Sequence, residues 1–327
     1  MRRRAPLALR LCLGGLIMLS GGATGAEATA ASGRAWLEAM AAALRANAYE
    51  GVLSYARDDA VTELRLVHGH QGSAIYERLS RLDGAPKEML RRGDELFLLG
   101  QEDEALPPAA VPRVQHPVTN FADVPETYQV QLGTPVRVGG RRAQHILVDP
   151  QDATRFAYQL WLDEETALPL RMTMNYHQGA PVEVVQFRAL AVGEEPPEAA
   201  FALAGQPVHQ HPVAPAQAAL AHGSEGVALE ALRWRIAWVP PGFQLLAEVA
   251  DQPVMLRLGD GLATVTVFID AEVEDEPLAA QHGPTAAVVR HLRHCDGRPH
   301  QVTVIGEVPV GSAERIAQSL HCADPPS

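Results

Sequence analysis

From residue 49 to residue 192 the chain alternates apolar and polar side chains with a period of two, the pattern of strands that bury one face. Ten runs carry it: 49–57, 61–70, 73–82, 86–91, 95–99, 128–132, 142–149, 156–163, 168–177 and 182–192. Turn chemistry separates them, as at Asp83-Gly84, Gly93-Asp94, Gly139-Gly140 and Gln178-Gly179. One helix precedes the strands, with Ser32 as its expected N-cap and Trp36, Leu37, Met40, Ala41 and Leu44 recurring at helical spacing. A long antiparallel meander with one helix predicts a strongly curved sheet or an open barrel. Residues 101–125 interrupt the alternation with five prolines and an acidic stretch. That length predicts a lid or a short helical insertion.

The hairpin "RFAYQLWLDEETALPLRMTMNYH" (155–177) concentrates the apolar pattern. Phe156, Tyr158, Leu160 and Leu162 share one face of its first strand, while Met172, Met174 and Tyr176 share one face of its second. Trp161 lies on the back, beside Gln159; Arg171, Thr173, Asn175 and His177 form the back of the return strand. The seven apolar side chains suit either a dry core against the Trp36 helix or the wall of a cavity for acyl chains, which methionine lines adaptably. Periodicity leaves both open.

From Glu194 to His222 the chain turns dense in proline, alanine and histidine, a linker composition. The expected organisation is a signal segment at 1–26, a first domain at 30–203, a linker at 204–228 and a smaller domain at 229–321. The smaller domain predicts a strand–turn–strand around "WVPPGF" (238–243), hairpins about Gly259-Asp260-Gly261 and Asp296-Gly297, and a closing helix capped at Ser312. The fold class is therefore α+β.

The first residues give an address. Arg2, Arg3 and Arg4 precede a short apolar run from Leu11 to Leu19, followed by small residues at Thr24-Gly25-Ala26 and Ala26-Glu27-Ala28. This is the pattern of a cleaved export signal, too short to span a bilayer comfortably. The expected product is soluble and exported. The formal charge is −12, and removing 1–26 takes four arginines and no acid, leaving 23 basic against 39 acidic residues, about −16. Such a surface repels nucleic acid and anionic membrane in bulk. Cys295 and Cys322 survive processing and are candidates for a disulfide in an oxidising compartment. Sequence does not place their Cβ atoms together.

Catalytic constellations are scarce. There is no G-x-S-x-G elbow, no phosphate-cradling glycine loop and no H-E-x-x-H. His291, His294 and Cys295, with His300, His321 and Cys322, have zinc-ligand types, but in a hairpin residues three apart point to opposite faces. Asp149, Asp152 and Asp163-Glu164-Glu165 occupy ordinary turn positions for acids. A binding protein without cofactor or metal is expected, not an enzyme.

Five stretches resemble the MucB/RseB family: "NAYEGVLSY" (47–55), "ERLSRLDGAPKEMLRRGDEL" (77–96), "DPQDATRFAYQLWLDEETALPLRM" (149–172), "WVPPGFQL" (238–245) and "QVTVIGEVP" (301–309). They run in family order across both expected domains. The resemblance implies a first domain like the lipoprotein carriers LolA and LolB, a curved antiparallel half-barrel around an apolar cavity. It also implies the function of a periplasmic negative regulator of the envelope-stress sigma factor. Such a protein binds the periplasmic part of a membrane-spanning anti-sigma factor, shields it from the site-1 protease, and is released by outer-membrane lipid or lipopolysaccharide. On that reading Phe156, Tyr158, Leu160, Leu162, Met172, Met174 and Tyr176 line the lipid cavity, and Trp238, Pro240, Pro241 and Phe243 are candidates for the partner contact. The alternative is a LolA-like periplasmic lipoprotein carrier. Homo-oligomer formation stays open, as does the identity of the lipid.

Overall fold

The computed structural model describes residues 23–84, 87–99, 121–203, 209–212, 234–249, 254–293 and 297–322. The first described element is α1 (Ala23–Ala46). Ser32 is therefore inside the helix and not its cap, because the alanine-rich run ahead of it has high helix propensity. Leu37, Met40, Ala41 and Leu44 are buried on one face. Gly33 permits close approach to the sheet: a Cβ there would meet Val130 Cγ1 at 2.8 Å.

Among the described residues twelve strands follow: β1 (Tyr49–Arg57), β2 (Ala60–Gln71), β3 (Ala74–Arg81), β4 (Glu88–Arg92), β5 (Glu95–Leu99), β6 (Tyr128–Leu132), β7 (Val136–Val138), β8 (Arg141–Pro150), β9 (Ala157–Asp163), β10 (Pro169–Asn175), β11 (Pro181–Val192) and β12 (His209–Pro212). They form one antiparallel sheet in the order β12-β5-β4-β3-β2-β1-β11-β10-β9-β8-β6, with β7 also on β8. The ten expected runs all appear, each within two residues of its predicted bounds. Residues 100–120, most of the expected lid, lie outside the described residues; the segment ends in a 3-10 turn at Phe121–Asp123.

β12 falls in the expected linker, where "HQHP" has no apolar alternation, yet it pairs with the edge of β5. The preceding residues also lie along the sheet. Glu195 accepts hydrogen bonds from the His70 backbone (3.0 Å), and its carboxylate meets His70 Nδ1 at 2.9 Å. Phe201 packs with Val67, Leu90 and Phe97, and its carbonyl accepts from Arg92.

The second sheet comprises β14 (Gln244–Val249), β15 (Val254–Gly259), β16 (Thr264–Asp270), β17 (Leu278–His282), β18 (Thr285–Arg293) and β19 (Pro299–Gly306), in the order β14-β15-β16-β19-β18-β17. β13 (Trp234–Ile236) pairs instead with β20 (Leu320–Cys322). The helix α2 (Val310–Ser319) starts at Pro309, which pre-sets the entering φ, so Ser312 is not the cap. The Ser312 hydroxyl instead donates to the Thr154 carbonyl across the molecule (2.9 Å). Ala313, Ile316 and Ala317 of α2 pack on Val265, Val267, Val288, Val302 and Val304 in a core of their own.

Candidate functional site

The hairpin β9–β10 supplies the floor of the first core. Met172 lies opposite Leu160 and Met174 opposite Tyr158. Phe156, Tyr158, Leu160, Leu162, Met172 and Met174 are all buried, whereas Tyr176 is 39% exposed at the hairpin's far end. A single helix does not cover this surface. The same contiguous core draws on α1 through Leu37, Met40 and Leu44, on the Phe121–Val124 segment, and on Leu262 from the second sheet. Phe121 meets Tyr158 edge-on at 5.0 Å.

The half-barrel has two ends, and they are finished differently. At the end where β9 begins, the second sheet docks. Arg155, fully buried, donates from Nη1 to Asp260 (2.5 Å) and Thr127 (3.1 Å), and from Nη2 to the Pro241 carbonyl (2.5 Å). Its guanidinium lies 5.5 Å from the ring centres of both Tyr128 and Phe243, one from each side of the joint. Burial holds the Tyr128 hydroxyl well above its ordinary pKa, so it adds no second negative charge. Asp260 also accepts from the backbone N–H of Leu262 (3.0 Å) and Ala263 (2.8 Å), which aims Leu262 into the first core. Gly242 allows the contact twice over: its φ is +83°, and a Cβ would meet Thr127 Cγ2 at 2.9 Å. A second contact joins the β1–β2 turn to β17. His282 Nε2 lies 3.0 Å from Arg57 and Nδ1 3.2 Å from Asp58, an arrangement satisfied by the tautomer protonated on Nδ1.

At the opposite end a narrow apolar crevice opens. Leu44 of α1, Tyr49 and Leu53 of β1, and Phe187 and Leu190 of β11 form part of its lining. Met172 and Arg171 come from β10, just past the β9–β10 turn. The cavity is narrow, with a volume of about 30 Å³. The Phe187 ring reaches this position over Gly51, where a Cβ would lie 2.7 Å from the ring carbons. The β9–β10 turn that shapes the rim is fixed by Asp163, which accepts from Arg141 (2.7 Å) and Thr166 (2.7 Å). Burial alone would raise the Asp163 carboxyl, but these hydrogen bonds outweigh it and hold the carboxyl below its ordinary pKa. On the outer face Trp161 stacks on His145 with centroids 4.5 Å apart, and Arg171 lies 4.8 Å over the Trp161 ring. The tryptophan on the back of the hairpin therefore belongs to a three-layer stack.

Of the seven residues expected to line a cavity, Met172 alone borders the crevice; the other five buried ones sit in the packed core. Of the four partner-contact candidates, Phe243 and the Pro241 carbonyl are used in the joint, and Pro240 is buried. Trp238 is half-buried on the surface with the Arg315 guanidinium 4.0 Å over its ring. Cys295 and His294 lie outside the described residues, so the expected pairing with Cys322 has no geometry to report. Among the described residues, no three His, Cys, Asp or Glu side chains converge as a metal site. Arg155, Asp260, Leu262 and Arg171 escaped sequence reasoning: each sits in a turn or on a strand back, where alternation carries no message about distant partners. The arginine that directly precedes the apolar face at Phe156 was the available signal.

Two family models match this chain, "MucB/RseB N-terminal domain" over residues 32–209 and "MucB/RseB C-terminal domain" over residues 228–321. The chain belongs to the MucB/RseB family. It is similar to the sigma factor AlgU regulatory protein MucB of Pseudomonas aeruginosa, with 35% identity over 322 residues, 94% of this chain and 96% of that one. The sigma-E factor regulatory protein RseB of Escherichia coli K12 is 26% identical over 317 residues, 90% and 92% of the two chains. Among solved structures, the Pseudomonas aeruginosa MucA/MucB complex matches with a TM-score of 0.67 at 28% identity, covering 90% of this chain and 99% of that one. A crystal structure of MucB with MucA(peri) matches at 0.66 and 29% identity, covering 89% and 98%. None of the helices among the described residues is long and apolar enough to cross a membrane.

Proposed function

We propose that this protein is a periplasmic regulator that acts by binding and not by catalysis. It holds the periplasmic segment of a membrane-spanning, MucA-like anti-sigma factor, shields that segment from the site-1 protease, and lets go when an outer-membrane lipid engages the first domain. The observation that carries the reading is the match of both sheets, over nearly the whole of each chain, to a MucB solved together with MucA. Trp238, stacked beneath Arg315, is the partner-contact candidate left available by the joint.

A lipoprotein carrier is the rival reading. The docked second sheet disfavours it, because a carrier needs no partner-sized domain fixed to one end of its half-barrel. The deciding experiment mixes the purified mature protein with the periplasmic domain of the cognate anti-sigma factor. Retention on a column and slower cleavage by the site-1 protease are expected. Failure of both, with transfer of lipoprotein between membranes instead, would favour the carrier.

A further inference from the structure

We propose that β12 is a displaceable cap on the edge of β5, and that this edge takes an apolar, extended segment of another polypeptide by strand addition. The incoming strand would take over the backbone pairing that β12 makes with residues 95–98. This is a protein-binding edge on the first sheet, apart from the joint and from Trp238.

β5 is suited to pairing on both sides. It carries Leu96, Phe97, Leu98 and Leu99 in succession, with Glu95 as its one charge, no proline and an unbroken register with β4. Leu96 and Leu98 pack against the first core, while Phe97 and Leu99 belong to the outer cluster with Phe201. A strand laid beside β5 therefore meets hydrocarbon on both faces. The other outer strands are blunted by polar residues: Gln129 and Gln131 in β6, Gln244 and Glu248 in β14, Gln281 and His282 in β17. Left bare, β5 would recruit a foreign strand more readily than any of these.

β12 pairs with that edge poorly. It sets His209 opposite Leu98, Gln210 opposite Phe97 and His211 opposite Leu96, and Pro212 ends the ladder at Glu95. None of these residues is β-branched, and Pro212 has no N–H to donate. What keeps β12 in place is its tether. Just upstream, Phe201 is buried among Val67, Leu90 and Phe97, Arg92 donates to the Phe201 carbonyl (3.0 Å), and Arg78 donates to the Ala202 carbonyl. So short a tether gives β12 an effective concentration at the edge on the order of millimolar, whatever its own pairing strength. A cap that only had to close the edge would pair well by itself. One that pairs badly and is held by a tether yields to a better strand. Valine, isoleucine or threonine opposite Leu96, Phe97 and Leu98 would improve each cross-strand pair, so the fitting partner segment is uncharged, β-branched and extended.

The test uses the full mature chain and a fluorescently labelled octapeptide of alternating valine and threonine between terminal lysines. A control peptide of the same charge carries two central prolines. Anisotropy should show the first peptide binding and the control not, because proline breaks the ladder. Giving the cap better strand residues, Gln210→Val with His211→Ile, should weaken peptide binding about ten-fold. Gln210→Pro with His211→Pro should tighten it by about the same factor. Successive N–H groups point to opposite sides of a strand, so one of the two prolines removes a bond to β5. Hydrogen exchange at Leu96, Phe97 and Leu98 should quicken in the proline variant and slow again when peptide is added. Equal affinity in all three chains, or no peptide binding in any of them, would overturn the assignment. Self-association of the proline variant that excludes the peptide would also overturn it, by giving the edge to a second copy of this chain. None of these arms involves the anti-sigma partner or a lipid, so failure here is distinct from failure of the regulator reading.

Discussion

The two ends of the half-barrel close by opposite means. The joint end buries charge: both terminal nitrogens of Arg155 are engaged, its carboxylate partner is itself buried, and aromatic rings flank the cation. The crevice end buries hydrocarbon against hydrocarbon. A buried ion pair is directional and fails all at once when one partner is removed, whereas apolar contact gives way gradually. One end is built to hold a fixed arrangement of two domains, and the other can admit something.

The largest test of that contrast is Asp260→Ala. It strands Arg155 as an uncompensated buried charge and should cost about 3–5 kcal/mol in urea unfolding. Adding Arg155→Met to the same chain should recover much of the loss, because removing both charges avoids the orphan. A loss below about 1 kcal/mol would mean that water reaches the joint and the ends are not so different.

The packed floor comes next. Met174→Ala and Leu160→Ala, both at residues in the closed core, should each cost about 2–5 kcal/mol. Met172→Ala, at the crevice, should cost clearly less, since its surroundings are already short of contacts on one side. Equal losses at Met172 and Met174 would erase the distinction between floor and crevice.

The smallest effect concerns His70, whose ring bridges the α1 carbonyl of Arg45 (2.8 Å) and the Glu195 carboxylate. Both partners are acceptors, so the doubly protonated ring satisfies both, and the hydrogen bond to Glu195 raises the His70 pKa above 6.5. A raised folded-state pKa means that the stabilisation is fully present below about pH 6.5 and is lost as pH rises through the folded value. For so exposed a pair it amounts to a few tenths of a kcal/mol, at most about 1. His70→Gln should flatten the fall in stability between pH 6 and pH 8; an unchanged slope would assign it to other groups.

Alternation was enough to place the ten main strands and the curved sheet, because each strand's buried face is written in its own residues. β12 and β17 were not legible: "HQHP" and "LAAQH" have little β-branched or alternating character and are strands because a neighbour's edge accepts them. The same limit applied to the site. The hairpin's apolar face could be read, but whether it meets packed protein or a void depends on Phe121 and Leu262, which arrive from about 35 and 100 residues away in sequence. Asp260 looked like an ordinary turn residue between two glycines, and its turn role is real; the Arg155 that it also holds is invisible locally.

Hydrogen exchange of the mature protein, with and without lipopolysaccharide as the outer-membrane lipid, tests the two-ended account most directly. The account predicts slowed exchange in Ala167–Met172, in Val185–Leu190 and at the end of α1, with no change in Tyr128–Val130 or Val254–Ile269. Protection or opening centred on the joint segments, with the crevice strands unaffected, would contradict it.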